Sequence, residues 1–136
     1  LGTIIVDFPI RVYYEDTDAG GVVYHARYLH FFERARTEFL RQLGFSQQEL
    51  LAESLAFVVK KIDIDYKIPA HLDDLLNVET TISELKGAKI VFHQQLWRNK
   101  ECLTEASVTV ASVDLKKMKP IAIPADIKQA FQQIAI

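Results

Sequence analysis

The stretch Tyr28 to Leu43 constrains this chain more than any other. Tyr28, Phe32, Ala35, Phe39 and Leu43 recur at spacings of four, three, four and four, and Leu29, Phe31 and Leu40 widen the stripe. That spacing is the period of an α-helix with one apolar face. Glu33, Arg34, Arg36, Thr37, Glu38, Arg41 and Gln42 fall to the polar side. Such a helix is about 24 Å long, and Gly44 suits its C-terminal stop. A stripe this rich in aromatic rings asks for a broad apolar surface that curves around it.

The rest of the chain reads as strands able to supply that surface. Thr3 to Tyr14 is strand-like, and Pro9 inside it cannot donate a ladder bond, which predicts a bulge or a sheet edge there. Ser46 can cap a short helix through Glu53, with Glu49 as its capping-box partner. Leu55 to Tyr66 carries Val58, Val59, Ile62, Ile64 and Tyr66, with Asp63 and Asp65 on the alternate face. Lys67 to Asp74 is a turn. Leu76, Val78, Thr80 and Ile82 then alternate with Asn77, Glu79, Thr81 and Ser83, as a half-buried strand does. Lys86-Gly87-Ala88 is a tight turn, and Lys89–Arg98 and Cys102–Leu115 are two further strands joined at Asn99-Lys100. Pro124 suits a helix start, and Ile127, Ala130, Phe131 and Ile134 form one apolar face. Antiparallel hairpins beside one long helix predict an α+β domain spanning residues 1–136.

Composition enters mainly as exclusion. With 49% hydrophobic and 25% charged residues over 136 positions, the chain can build one core without cross-links. The single Cys102 allows no internal disulfide and no cysteine-rich zinc site. A net charge of −2 without a basic tract gives no sign of nucleic-acid binding. No apolar run reaches the roughly 20 residues of a membrane span. The opening Leu1–Val6 is too short for a signal peptide and lacks a basic start. A cytoplasmic protein is expected.

Chemistry concentrates between the first strand and the long helix, in Tyr13 to Tyr28. Asp16, Thr17 and Asp18 favour turns by bonding nearby backbone N–H groups. Gly20-Gly21 permits unusual backbone angles and close approach. The loop delivers Asp18 beside a helix N-terminus, where unpaired N–H groups and a partial positive charge collect. A carboxylate there can act as nucleophile or general base. The N–H groups can hold a developing oxyanion, and His25 can orient or protonate a reacting group. The same residues also read as turn and capping chemistry, as a structural histidine, or as half of a divalent-metal site, although no calcium-loop spacing follows.

The segment Tyr14-x-Asp16-Thr17-Asp18-x-x-Gly21-Val22-Val23-Tyr24-His25-x-x-Tyr28 resembles the opening motif of the hot-dog-fold acyl-CoA thioesterases, the hydroxybenzoyl-CoA thioesterase superfamily. The closer likeness is to the branch associated with the bacterial Tol-Pal envelope system. Asp65-Tyr66-x-x-Pro69-Ala70-x-x-Asp73-Asp74-x-Leu76 and Asp114-x-x-x-x-Met118-Lys119-Pro120 agree with it, so the resemblance spans nearly the whole chain. It implies a five-stranded antiparallel sheet wrapped around one long central helix. It implies Asp18 as the essential carboxylate, His25 at the thioester, and amides near Tyr24 and His25 as the groups that polarise the carbonyl. The branch commonly has Asn where this chain has Arg27, which leaves open how the helix start is held.

The resemblance further implies an acyl-CoA substrate, with coenzyme A as part of the substrate and no metal or other cofactor. It also implies a homodimer or homotetramer with sites between subunits, and an acyl carrier protein as another possible partner. The phosphates of coenzyme A need cations. Lys86 and Lys89 flank Gly87 at a strand turn, where the superfamily keeps a basic cluster, and Lys60 and Lys61 are further candidates. Tyr14, Phe57 and Val59 are candidates for touching the acyl group. Two other functions fit the same sequence: a hydratase or dehydratase acting on acyl chains, and a non-catalytic binding module for acyl-CoA or acyl carrier protein.

Overall fold

The computed structural model describes residues 6–133. The elements are β1 (Val6–Arg11), a 3-10 turn (Tyr14–Asp16), α1 (Arg27–Gln42), α2 (Gln47–Ala52), β2 (Leu55–Tyr66), β3 (Leu75–Lys86), β4 (Lys89–Arg98), β5 (Glu101–Asp114), β6 (Lys119–Pro120) and α3 (Ala125–Gln132). Five long strands form one antiparallel sheet in the order β1-β3-β4-β5-β2. The two-residue β6, which the alternation did not foresee, pairs with the end of β5 at Val113 and Asp114.

One face of this sheet is the bed for α1. Leu76, Val78 and Ile82 of β3, Ile90, Phe92 and Leu96 of β4, and Val108 and Val110 of β5 are buried with Tyr28, Phe31, Phe32, Ala35, Phe39 and Leu40 in one core. The predicted helix stripe is therefore the helix face that packs. The Phe39 ring meets Phe92 edge-on at 5.6 Å and Phe131 of α3 at 6.1 Å, so α3 closes the far end of the helix. Each such ring contributes roughly 1.5–3 kcal/mol by leaving water. Ile127 and Phe131 are buried as expected, while Ile134 lies outside the described residues.

Four features depart from the sequence reading. The first strand ends at Arg11 rather than Tyr14: the Val12 amide donates to Asp74 O and its carbonyl accepts from Asp73 N, and the chain then turns through Tyr14–Asp16. Its expected start, Thr3–Ile5, lies outside the described residues. Pro9 sits on an edge strand whose register with β3 is continuous, so of the two expectations the edge holds and the bulge does not. A bulge lies instead in β2, between Val59 and Lys61, where it breaks the alternation at Val58 and Val59. Finally, Arg36 is not on the polar side of α1 but buried, with 8% exposure.

Ser46 caps α2 by accepting from Glu49 N at 3.2 Å. Gly44 ends α1 at φ +93° and Gly87 turns β3 into β4 at φ +62°, both in the left-handed region that glycine enters without strain. No helix among the described residues is long and apolar enough to cross a membrane.

Candidate active site

The two carboxylates of the loop have separate fates. Asp16 is buried and fully engaged: its Oδ2 accepts from the Tyr13 amide at 2.9 Å, and its Oδ1 accepts from Arg27 Nε at 3.0 Å and Nη2 at 2.8 Å. Its carbonyl accepts from Tyr24 N at 2.9 Å. Asp16 is thus the internal clamp of the loop, neutralised by Arg27. Arg27 thereby takes the Asp16 oxygen that a cation shared with Asp18 would need. The same contact explains Arg27 where an asparagine is usual. The start of α1 has no side-chain cap at Ala26, and its first residue is tied to the loop through a charged pair instead.

Asp18 is exposed. Its Oδ1 accepts from Gly20 N at 2.9 Å, and among the described residues its Oδ2 has no partner. The backbone around it is a small hairpin, in which Thr17 bridges Val23, Asp18 N donates to Val22 O at 2.9 Å and Gly21 N donates to Asp18 O at 3.1 Å. Gly21 sits at φ +77° with open space where a Cβ would be, so backbone geometry is what requires glycine there.

The far side of this hairpin lies on the segment before β3. Val22 bridges His71, Val23 N donates to Ala70 O at 2.9 Å, and Leu72 N donates to Gly21 O at 3.1 Å. That segment is itself fixed by Arg98, whose Nη1 donates to Asp74 Oδ2 at 2.8 Å and whose Nη2 donates to Glu101 Oε1 at 3.1 Å. Asp74 also accepts from His71 N at 2.8 Å. Partial burial would raise the Asp74 carboxyl, but the His71 amide and the Arg98 guanidinium outweigh it and hold the group below its usual range. Sequence reasoning marked Asp73-Asp74 only as part of a motif. The partner on Arg98 is distant in sequence and carries no local signal.

His25 is exposed, and its ring is tilted against Tyr24 at 4.4 Å between centroids. Its carbonyl accepts from Tyr66 Oη at 3.0 Å. Tyr66, at the end of β2, meets Tyr28 edge-on at 5.3 Å, and Tyr28 Oη accepts from Ala70 N at 3.1 Å. Burial pushes both phenols up, which keeps Tyr66 a neutral donor. Of the two amides that the family likeness brings to the carbonyl, that of Tyr24 is occupied by Asp16 O. Among the described residues, the amides of His25 and Ala26 have no acceptor. The arrangement offers a free carboxylate oxygen and two uncommitted N–H groups on one short loop.

The lysines converge. Lys60 and Lys61 of β2 and Lys86 and Lys89 at the β3–β4 turn line one cleft of about 410 Å³, floored by Thr109 and Ala111. Lys89 also pairs with Glu84 at 3.0 Å. The cleft stands at the far end of β3 from the Asp18 loop. Of the acyl-contact candidates, Phe57 and Val59 line a second cleft, beside α1, whereas Tyr14 is 81% exposed and joins neither cleft.

Comparison with known proteins fits this architecture. Residues 12–131 match the family model of the thioesterase-like superfamily. The chain is 66% identical over 128 residues to the acyl-CoA thioesterase YbgC of Haemophilus influenzae, covering 93% of this chain and 94% of that protein. It is 52% identical over 134 residues to the acyl-CoA thioester hydrolase YbgC of Escherichia coli O157:H7, covering 98% and 100%. Among solved structures, a probable thioesterase from Bartonella henselae superposes with a TM-score of 0.83 at 44% identity, covering 89% of this chain and 100% of that one. The sheet order, the helix it holds and a family match across nearly the whole chain lead to one conclusion: this protein belongs to the thioesterase-like superfamily and has the hot-dog fold.

Proposed function

We propose that the protein is an acyl-CoA thioester hydrolase in which Asp18 is the catalytic carboxylate. The observation that carries this reading is the contrast between two aspartates two positions apart. Asp16 is consumed by Arg27 and backbone. Among the described residues, Asp18 keeps a free oxygen on the same loop as the uncommitted amides of His25 and Ala26, just before α1. In the reaction, Asp18 either takes a proton from the attacking water or adds to the thioester carbonyl itself, giving an anhydride that water then opens. The carbonyl oxygen gains charge and is held by the two amides. The C–S bond breaks, the acyl group leaves as a carboxylic acid, and coenzyme A leaves as a thiol. The His25 ring, held against Tyr24, orients the thioester or assists the departing thiolate.

A homodimer completes the site. β2 is an open sheet edge on which Val58 and Val59 are 40% and 46% exposed, and such an edge invites pairing. Two β2 strands paired antiparallel about a two-fold set the Tyr66 end of one beside the Leu55–Val59 end of the other. Lys86, at one side of the lysine cleft, lies about 35 Å along the 12-residue β3 from the end that backs its own Asp18 loop. Across the two-fold it comes beside the partner's loop. Lys60, Lys61, Lys86 and Lys89 of one protomer then meet the phosphates of a substrate cleaved by the other.

The test is thiol release from short, long and aromatic acyl-CoA substrates, with wild type and Asp18→Asn in parallel. Asn keeps the acceptor for Gly20 N, so the loop persists. Turnover that falls roughly 10²-fold or more supports the reading. Equal turnover in the two proteins overturns Asp18 as the catalytic group. Tight binding without turnover on any substrate points instead to the binding-module alternative. Single turnover in labelled water separates the two roles: label appearing in the Asp18 carboxylate marks the anhydride route.

A further inference from the structure

Arg36 stands where an arginine is costly. It lies on the packed side of α1, four residues after Phe32 and four before Leu40, both buried. A guanidinium carries five N–H donors, and among the described residues one bond is formed, from Nη1 to Gln94 Oε1 at 2.9 Å. Gln94, itself fully buried, is locked from behind by donating through Nε2 to Phe32 O at 3.0 Å and Thr80 Oγ1 at 3.1 Å. Its oxygen therefore points only at Arg36 and fixes the guanidinium. Glu33, one turn back on α1, acts on Arg36 through space without bonding to it. A buried charge with one bond and no ion pair is weaker scaffolding than a well-packed apolar side chain of similar volume.

The remaining donors have somewhere to point. Arg36 lines a cleft of about 290 Å³ between α1 and β2, whose walls include Leu40, Phe57, Val59 and Phe92. None of its nitrogens is among the fully enclosed atoms that lack a partner, so the free N–H groups open into this cleft. An apolar cavity of roughly half that size takes up benzene, so a ring or an acyl chain fits. Glu33 and Gln47 stand at the mouth. The cleft is apolar along its walls and presents fixed donors at one point, with a carboxylate nearby that opposes a second anion.

We propose that this cleft is the acyl pocket and that Arg36 is its specificity-determining residue. It selects acyl groups that carry an uncharged oxygen, a hydroxyl or ketone, remote from the thioester over plain hydrocarbon of the same length. This rests on the hydrolase reading above, in which Phe57 and Val59 of one protomer adjoin the partner's Asp18 loop. A hydroxyl or ketone oxygen accepts from the Arg36 guanidinium, and a hydroxyl can also donate to Glu33. An alkyl chain instead leaves the N–H groups that Gln94 does not take without a partner and drives off their water.

The experiment measures kcat/KM for matched CoA thioesters, plain and oxygenated, over short to medium chain lengths, in wild type and Arg36→Met. The quantity read is the ratio within each pair, which does not depend on how much of a variant folds. Wild type is expected to favour the oxygenated member by roughly tenfold or more at the length that reaches Arg36, as a charge-assisted hydrogen bond implies. Arg36→Met is expected to abolish or invert that ratio. Turnover with the same ratio in both proteins at every length overturns the inference and leaves the hydrolase reading standing. Absence of turnover for every substrate overturns the hydrolase reading instead. Calorimetric binding of the same pairs, on Asp18→Asn with and without Arg36→Met, then decides the pocket: a preference that Met removes sustains it, and equal affinities sink it. A carboxylate-ended chain that binds better than the hydroxyl would overturn the uncharged class.

Discussion

At the scale of single residues, identical side chains do different work according to what surrounds them. Asp16 is 4% exposed and holds the loop, so its loss should be read in stability before chemistry. Asp16→Asn removes a partly buried charged pair and is expected to cost about 2–3 kcal/mol in urea unfolding. Arg27→Met, which strands the Asp16 carboxylate, should cost a similar amount. Asp18→Asn should leave the unfolding midpoint nearly unchanged while removing turnover. Gly21→Ala must hold a Cβ at φ +77° and is expected to cost roughly 1–2 kcal/mol in the same measurement.

At the scale of elements, the apolar pattern was readable wherever period alone decides structure. Tyr28, Phe32, Ala35 and Phe39 marked the packed face of α1, and Leu76, Val78, Thr80 and Ile82 marked the packed face of β3; all are buried. The pattern misled where charge overrode position. Arg36 shares the spacing of Phe32 and Leu40, and that spacing was the available signal, but its charge assigned it to the outside. The β2 bulge at Lys60 and the Arg98–Asp74 tie depend on partners far along the chain and leave no local mark. The aspartate–histidine loop was legible because its residues are contiguous. The lysine cleft was legible only as separate candidates, which the fold then collected.

The segment that backs the loop also predicts a pH response. The Asp74 carboxyl is held low in the folded state by the His71 amide and Arg98 against its burial. Glu105 is likewise held low, by His93 and Lys67. A carboxyl whose folded pKa is depressed binds its proton more readily unfolded. Its stabilisation is therefore complete above the ordinary carboxylate range and disappears as pH falls through and below it. Urea midpoints measured from about pH 7 down to pH 3 should fall on the acid side. Asp74→Asn should flatten part of that slope.

At the scale of the whole molecule, the proposed dimer makes each site a joint construction, and this can be checked by mixing. Asp18→Asn protein and a Lys60→Glu/Lys89→Glu protein are each expected to be weak on acyl-CoA. Co-refolded in equal amounts, they should recover about a quarter of the wild-type activity, because half the dimers are mixed and each carries one intact site. Recovery should be absent if Asp18 and the lysines of one protomer serve the same site. A Val59→Glu change on the β2 edge should lower both sedimentation coefficient and turnover.

The clamp between Asp16 and Arg27 closes a span of 11 positions around the residues that do the proposed chemistry. Its two ends are held by charge and backbone, and exposed Ala19 between them takes part in neither. Variation at exposed Ala19 therefore travels neither to the helix nor to the sheet. For anyone redesigning this protein, Ala19 is the place to randomise, with Asp18, Gly21 and the two clamped ends kept as the frame around it.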